Sequence, residues 1–277
     1  MRVTTAGPHR PPFDQSRIGD LTWPWTHVEV LPEAGSTNAL LADRARAGEE
    51  EGLVVVADHQ TSGRGRLDRT WETPPRAALT FSVLLRPARM PADRWPWLPL
   101  LTGVAVAETV AARGDVDCSL KWPNDVMAGD RKLGGLLVER VDTPQGAAAV
   151  VGIGLNVTTT ADALPVPTAT SLLLEGADPA GLRREDLLRE VLVRLGRRYH
   201  QWCAPGARGS TELAAAYRGL CGTVGRRVEV HLPGGGVRAG TAEAVEDDGA
   251  LRVRTATGPL VVHSGDVVHV RAVAPGA

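Results

Sequence analysis

Seven positions, Gly63 to Arg69, hold three arginines and two glycines inside the stretch TSGRGRLDRTW, residues 61–71. Guanidinium forks match phosphate oxygens, and glycine lets a ligand come close to the backbone. The loop therefore reads as a phosphate or nucleotide clamp, or else as a solvated surface turn. It is not a Walker loop, because G-x-x-x-x-G-K-[ST] does not occur in the chain. It is not a dinucleotide fingerprint either, because Asp68 stands where the third glycine would be. A second stretch, KWPNDVMAGDRKLGG (121–135), contains Lys121 and Lys132, the two lysines among 31 basic residues. Where nearly every basic position is arginine, a retained lysine points to a need for a compact ammonium, with chance as the alternative. Pro123 and Asn124 turn the chain after a strand, and Asp125 is placed to hold a cation or orient a lysine. The bland reading of this segment is a polar turn over a core Trp122. A third stretch, GIGLN (152–156), sets two glycines in an apolar strand, which suits a flat ligand or tight packing equally. Asn156 could then bond a base or phosphate.

The elements that position these residues follow from pattern. STNALLADRARAG reads as a helix capped by Ser36 or Thr37 and stopped by Gly48. Strands are expected at 53–58, 78–86, 118–122 and 147–157, with a hairpin turning at Gly129-Asp130. A long apolar helix closes at Gly114, and two more helices cover about 180–202 and 209–219. Past residue 219 the chain changes to short alternating strands between glycine-rich turns, some five strands in about fifty residues, which suggests a small barrel. The reading is thus of a tail at 1–27, whose first twenty residues are loosely attached, a main domain at 28–219 and a small domain at 220–273. Net charge is −1, so no global field attracts nucleic acid or membrane. The three cysteines show no metal spacing and suit a reducing cytoplasm. His263 and His269 read as surface or core residues.

Taken together, the helix start STN, the loop GRGRLDRTW, the segment KWPND…RKLGG and the strand GIGLN, in that order, resemble the biotin–protein ligases over about residues 28–273. The resemblance implies an α+β fold, with a mixed β-sheet flanked by helices similar to class II aminoacyl-tRNA synthetase catalytic domains. A small SH3-like β-barrel follows. It implies ATP, Mg2+ and biotin as reactants, and biotinyl-5′-adenylate as the intermediate. A lysine of a biotin carboxyl carrier domain is then the acceptor, in a monomer or weak homodimer that binds neither DNA nor membrane.

Carried over residue by residue, Lys132, Arg64 and Lys121 are the expected catalytic groups. Lys132 would meet the biotin carboxylate and α-phosphate, with Lys121 nearer the pyrophosphate. Ser36, Thr37, Asn38, Gln60, Arg64, Gly65, Arg66, Trp71, Lys132, Gly134 and Gly135 would surround biotin. Arg64, Arg66, Lys121, Asn124 and Asn156 would face the nucleotide, and Asp125 would serve as metal ligand or lysine partner. The loop departs from the family at Asp68, where many members carry glycine. Lipoate–protein ligases share the fold and the adenylate chemistry, but the arginine loop and KWPND favour biotin. Residues 1–27 are too few, and too proline-rich, for the winged helix-turn-helix of the ligase–repressors.

Overall fold

The computed structural model describes residues 10–67, 69–204, 207–232, 235–263 and 266–269. Asp68, residues 1–9 of the expected tail and the expected second domain beyond residue 269 lie outside the described residues. In chain order the main domain runs β1 (His27–Leu31), α1 (Thr37–Arg46), β2 (Leu53–Ala57), β3 (Gly63–Arg64), β4 (Thr70–Trp71), β5 (Ala78–Leu85), α2 (Trp97–Gly114), β6 (Ser119–Lys121), β7 (Asp125–Ala128), β8 (Arg131–Thr143), β9 (Gly146–Asn156), α3 (Arg184–Cys203) and α4 (Ala207–Leu220). Seven strands form one sheet in the order β1-β2-β5-β9-β8-β7-β6. β1 and β2 pair in parallel and the other neighbours are antiparallel, so the sheet is mixed.

The central strands are buried on both faces, and their side chains alternate between two cores. Leu79, Phe81, Val83 and Leu85 of β5, with Val151, Ile153 and Leu155 of β9, join the large core under α2 and α3. Leu84, Val141, Ala148 and Val150 join a smaller core with Leu41, Ala42 and Ala45 of α1. By the same alternation, Thr80 and Ser82 of β5, Gly152 and Gly154 of β9, and Gly135, Leu137 and Glu139 of β8 lie on the α1 face. This part of the face carries small and polar residues, and the first turn of α1 reaches it through Thr37 and Asn38. The absence of bulky side chains there leaves room for a cleft.

The expectation of a loosely attached tail is corrected for residues 10–20. Phe13 and Ile18 are buried, and the Phe13 amide donates to both oxygens of the buried Asp58 carboxylate. Arg184, also buried, pairs with Asp58 at 2.8 Å, donates to the Pro11 carbonyl and lies over the Phe13 ring. Two apolar anchors without a repeat leave no periodic signal. Their partners are about 45 and 170 residues away in sequence, so the docking is invisible to local pattern.

Five further strands follow: β10 (Arg227–His231), β11 (Val237–Val245), β12 (Leu251–Thr255), β13 (Gly258–Val262) and β14 (Asp266–His269). They form an antiparallel sheet in the order β13-β12-β11-β10-β14, with β13 and β14 as its edges among the described residues. The C-terminal domain grips the turn after β6. Thr223 Oγ1 accepts from the Trp122 amide at 2.9 Å, the Gly249 carbonyl accepts from Trp122 Nε1 at 3.0 Å, and the Gly222 amide donates to the Leu120 carbonyl. Trp122 is 2 % exposed, so the tryptophan of KWPND is a core residue that ties the two domains together. Among the described residues no helix is long and apolar enough to cross a membrane.

Candidate active site

The cleft has the sheet as its floor and the first turn of α1 as one wall. Ser36 is the N-cap, its hydroxyl accepting from the Ala39 amide. The next free amide of the helix start, that of Thr37, donates to Gln60 Oε1 at 2.8 Å. An orphan backbone donor is thus satisfied by a side chain from the loop after β2, which fixes Gln60 against α1. Thr37 Oγ1 lies 3.0 Å from the same Gln60 oxygen and 2.7 Å from Ser82 Oγ. Ser36, Thr37, Asn38 and Gln60 therefore do converge on one wall. Asn38, however, keeps its amide within the protein. Its nitrogen donates to the Leu137 carbonyl and to Glu139 Oε2, and its oxygen accepts from Ser82 Oγ at 2.6 Å.

The arginine loop closes the cleft as a two-stranded ribbon of β3 and β4, with Gly63 opposite Trp71 and Arg64 opposite Thr70. A Cβ on Gly63 would lie 2.4 Å from the Trp71 carbonyl, so the ribbon requires glycine there. Trp71 leaves the ribbon to lay its indole on β9. A Cβ on Gly154 would lie 2.5 Å from that ring, and one on Gly152 would lie 2.2 Å from Asn38 Oδ1. The glycines of GIGLN thus make room for the protein's own tryptophan and asparagine, the packing alternative of the sequence reading. Trp71 Nε1 is buried and has no hydrogen-bond partner among the described residues, so it offers a donor in the cleft wall. Arg64 Nη2 pairs with Glu139 Oε2 at 3.3 Å, and Arg66 Nη1 reaches Asn124 Oδ1 at 3.4 Å. Gly65 and both arginines line the cleft.

At the far end, β6, β7 and β8 bring the two lysines together around Asp125. Lys132 Nζ lies 2.5 Å from Asp125 Oδ1, and Lys121 Nζ lies 3.8 Å from Oδ2. Asp125 therefore orients both lysines. Its two oxygens face two ammonium groups, the lysine-partner role of the sequence reading, and no cluster of three His, Cys, Asp or Glu side chains able to hold a metal occurs among the described residues. Lys132 is about a third exposed and lines the cleft, whereas Lys121 sits behind Asp125, outside the lining. A Cβ on Gly135 would lie 3.2 Å from Lys132 Nζ, so this glycine lets the lysine cross the strand. Gly134 is set back against the Gly154 carbonyl.

Asn156 is buried at the end of β9, outside the cleft lining. Its Nδ2 donates to the Thr170 carbonyl at 2.9 Å, and the Thr170 amide in turn donates to the Lys132 carbonyl. Asn156 so holds the segment that braces Lys132. Sequence reasoning missed Ser82 and Glu139. The signal for the first was a serine in a strand otherwise buried and apolar. The second had none.

The arrangement joins a neutral hydrogen-bonding wall to a mouth bearing Lys132, Arg64 and Arg66. Such a cleft can hold an uncharged polar ring and present its other end to phosphate. Comparison with known proteins agrees. Residues 31–156 match the Biotin/lipoate A/B protein ligase family, and residues 223–270 match the Biotin protein ligase C terminal domain. The chain is 40% identical over 270 residues to the biotin–[acetyl-CoA-carboxylase] ligase of Mycobacterium tuberculosis, covering 95% of this chain and 97% of that protein. It is 30% identical over 245 residues to the bifunctional ligase/repressor BirA of Bacillus spizizenii, covering 87% and 73%. Among solved structures, the biotin protein ligase from Aquifex aeolicus in complex with biotin and ATP superimposes with a TM-score of 0.74 at 27% identity, covering 90% of this chain and all of that one. With fold, cleft and both family domains in agreement, the chain belongs to the biotin/lipoate A/B protein ligase family.

Proposed function

We propose that this chain activates biotin with ATP and transfers it to a lysine of a biotin carboxyl carrier domain. The biotin carboxylate attacks the α-phosphorus of ATP, giving biotinyl-5′-adenylate and releasing pyrophosphate. The carrier lysine amine then attacks the acyl carbon, and AMP leaves. The observation that carries this reading is the union in one cleft of the Thr37–Gln60 wall with the cationic mouth at Lys132, Arg64 and Arg66. The wall suits a ureido ring, which both donates and accepts hydrogen bonds. The mouth suits the reacting carboxylate and phosphate, whose negative charges must be brought together. Fixed cations at that point stabilise the charge of the transition state without reorganising.

Lys132 is assigned to the carboxylate and α-phosphate, Lys121 to the pyrophosphate side, and Arg64 and Arg66 to the adenylate under the closed ribbon. Asn124, which donates to the Leu136 carbonyl and accepts from Arg66, holds that arginine at the nucleotide side. Magnesium enters only as the ion that ATP carries on its phosphates. The reading includes no DNA and no membrane partner, a monomer or weak dimer, and a cytoplasmic setting that suits three free cysteines.

A dithiolane ring has no hydrogen-bonding group to satisfy the Thr37–Gln60 wall, so biotin is favoured over lipoate. Mass spectrometry of a purified carrier domain tests the function. Incubation with the protein, ATP and an equimolar mixture of biotin and lipoate should add one biotinyl group to one lysine. A lipoyl adduct, or an unmodified carrier, would contradict the reading.

A further inference from the structure

Four oxygens stand in a row beneath the cleft: Gln60 Oε1, Thr37 Oγ1, Ser82 Oγ and Asn38 Oδ1, separated by 3.0, 2.7 and 2.6 Å. Both ends of the row accept only. At Asn38 the other amide atom faces the Leu137 carbonyl at 3.2 Å and the Glu139 carboxylate at 2.7 Å, and nitrogen alone can satisfy two acceptors. The oxygen must therefore face Ser82. At Gln60 the atom in the row accepts the Thr37 backbone N–H at 2.8 Å, so it too is oxygen. Between these ends lie two hydroxyl groups, and each has one proton. Two protons serve three contacts, so one contact has none.

The distances say which. Ser82 is fully buried and its shortest contact is to Asn38, so its proton goes there. Thr37 has one proton for two acceptors, Gln60 Oε1 at 3.0 Å and Ser82 Oγ at 2.7 Å; given to the shorter contact, it leaves lone pair facing lone pair at the longer. The direction of the row is anchored by the Glu139 carboxylate, which fixes the Asn38 amide and with it every donor in turn.

We propose that Ser82, held by Asn38 and Glu139, is a specificity-determining residue. It makes the pair Thr37 Oγ1 and Gln60 Oε1 accept only, so that this point of the wall selects a ligand bringing an N–H to it. The proposal rests on the biotin reading of the site, since a ureido ring carries such N–H groups. It goes further, because Ser82 and Glu139 touch the ring only through other side chains. A ligand with a ring oxygen in place of the N–H would add a third lone pair to two already opposed. A site built to take an N–H rejects an analogue lacking it more strongly than it rejects a mere change of shape.

Ser82→Ala removes one proton and two of the three contacts. Thr37 then donates to Gln60, the shortage disappears, and the preference for an N–H should narrow. The test is calorimetric titration of the full chain with biotin and with its cyclic carbonate analogue, in which both ring N–H groups are oxygen. Desthiobiotin, which keeps the ureido group, is the control for shape. The wild type should prefer biotin over the carbonate by roughly a hundredfold or more. In Ser82→Ala that ratio should narrow about tenfold, the worth of one ordinary hydrogen bond, with desthiobiotin following biotin. Ser82→Cys keeps the volume with a weak donor and should fall between the two, and it carries the test if the alanine variant does not fold. Equal weakening of biotin and carbonate in either variant would make Ser82 a packing residue and overturn the proposal. Failure of the wild type to bind biotin at all would remove the biotin reading, and the proposal with it.

Discussion

Asp125 governs the two lysines of the chain from one carboxylate, and the spacing it imposes on Lys132 is that of a compact ammonium at 2.5 Å. A guanidinium is planar and larger, so Lys132→Arg should keep the charge and lose the geometry. Displacements of about 1 Å at reacting atoms cost on the order of a hundredfold, and biotin-dependent pyrophosphate release should fall by about that factor in a folded protein. Activity within a few-fold of wild type would remove Lys132 from the chemistry. Arg64 behaves differently. Its pairing with Glu139 is half exposed, so Arg64→Ala should change stability by less than about 0.5 kcal/mol. Loss of its charge-assisted contacts to phosphate should weaken adenylate retention by roughly 1.5–3 kcal/mol, measured as faster escape of biotinyl-adenylate. Unchanged escape, or a collapse of Tm, would contradict the assignment. That Lys132 and Arg64 line the cleft was legible because their types are informative alone: a lysine among arginines, an arginine between glycines. Ser82 and Glu139 were not, because each acts through a partner from another element. Asn38, read as a contact to ligand, lines the cleft while its amide is bonded inside the protein.

Elements place these residues by alternation. A strand sends every second side chain to the cleft, and the three central strands put glycine, serine, threonine and glutamate there while burying leucine, valine and phenylalanine behind. The strands and helices themselves were readable from apolar runs, caps and glycine stops, and α1, α2 and the β7–β8 hairpin end where those signals fall. The ribbon was not. β3 and β4 are two residues each, too short for any pattern, and Leu67 between them takes a left-handed φ of 55° while 63% exposed. A ribbon held by so few contacts should tighten over its ligand. Trypsin cleavage after Arg64, Arg66 and Arg69 should therefore slow when biotin and ATP are added together. Equal rates with and without them would argue against a closing lid. The docked segment at 10–20 also escaped local reading. Phe13 fills a site beside the buried Asp58–Arg184 pair, so Phe13→Ala should cost about 3 kcal/mol in a denaturant melt. A change under about 0.5 kcal/mol would restore the loosely attached tail.

At the scale of the whole molecule, the C-terminal domain supports the turn on which Lys121, Asn124 and Asp125 sit. The contact passes through Thr223, whose Oγ1 accepts from the Trp122 amide and lies 2.9 Å from His269 Nε2. Burial lowers the His269 pKa to about 4, helped by Lys121 and Arg226 and opposed by Asp130 and Asp125. The unfolded chain binds this proton near pH 6.5, the folded one only near pH 4. Between those values the unfolded state holds more protons, so stability is full above about pH 6.5 and falls on acidification toward 4. His269→Gln should flatten that part of a Tm against pH profile, and an unchanged slope would assign the acid sensitivity elsewhere. The sequence made the second domain visible through its alternating strands and glycine turns. It hid the docking, because Trp122, Thr223, Gly249 and His269 are brought together only by the fold.

The central claim, that the cleft joins a ureido-binding wall to a phosphate-binding mouth for adenylate formation, is tested most directly by pyrophosphate release. With the purified full chain, pyrophosphate should appear only when biotin and ATP are both present. Neither ATP alone nor ATP with lipoate should release it, and Lys132→Arg should slow it about a hundredfold. Release without biotin, release with lipoate at a comparable rate, or no release with both biotin and ATP would contradict the account.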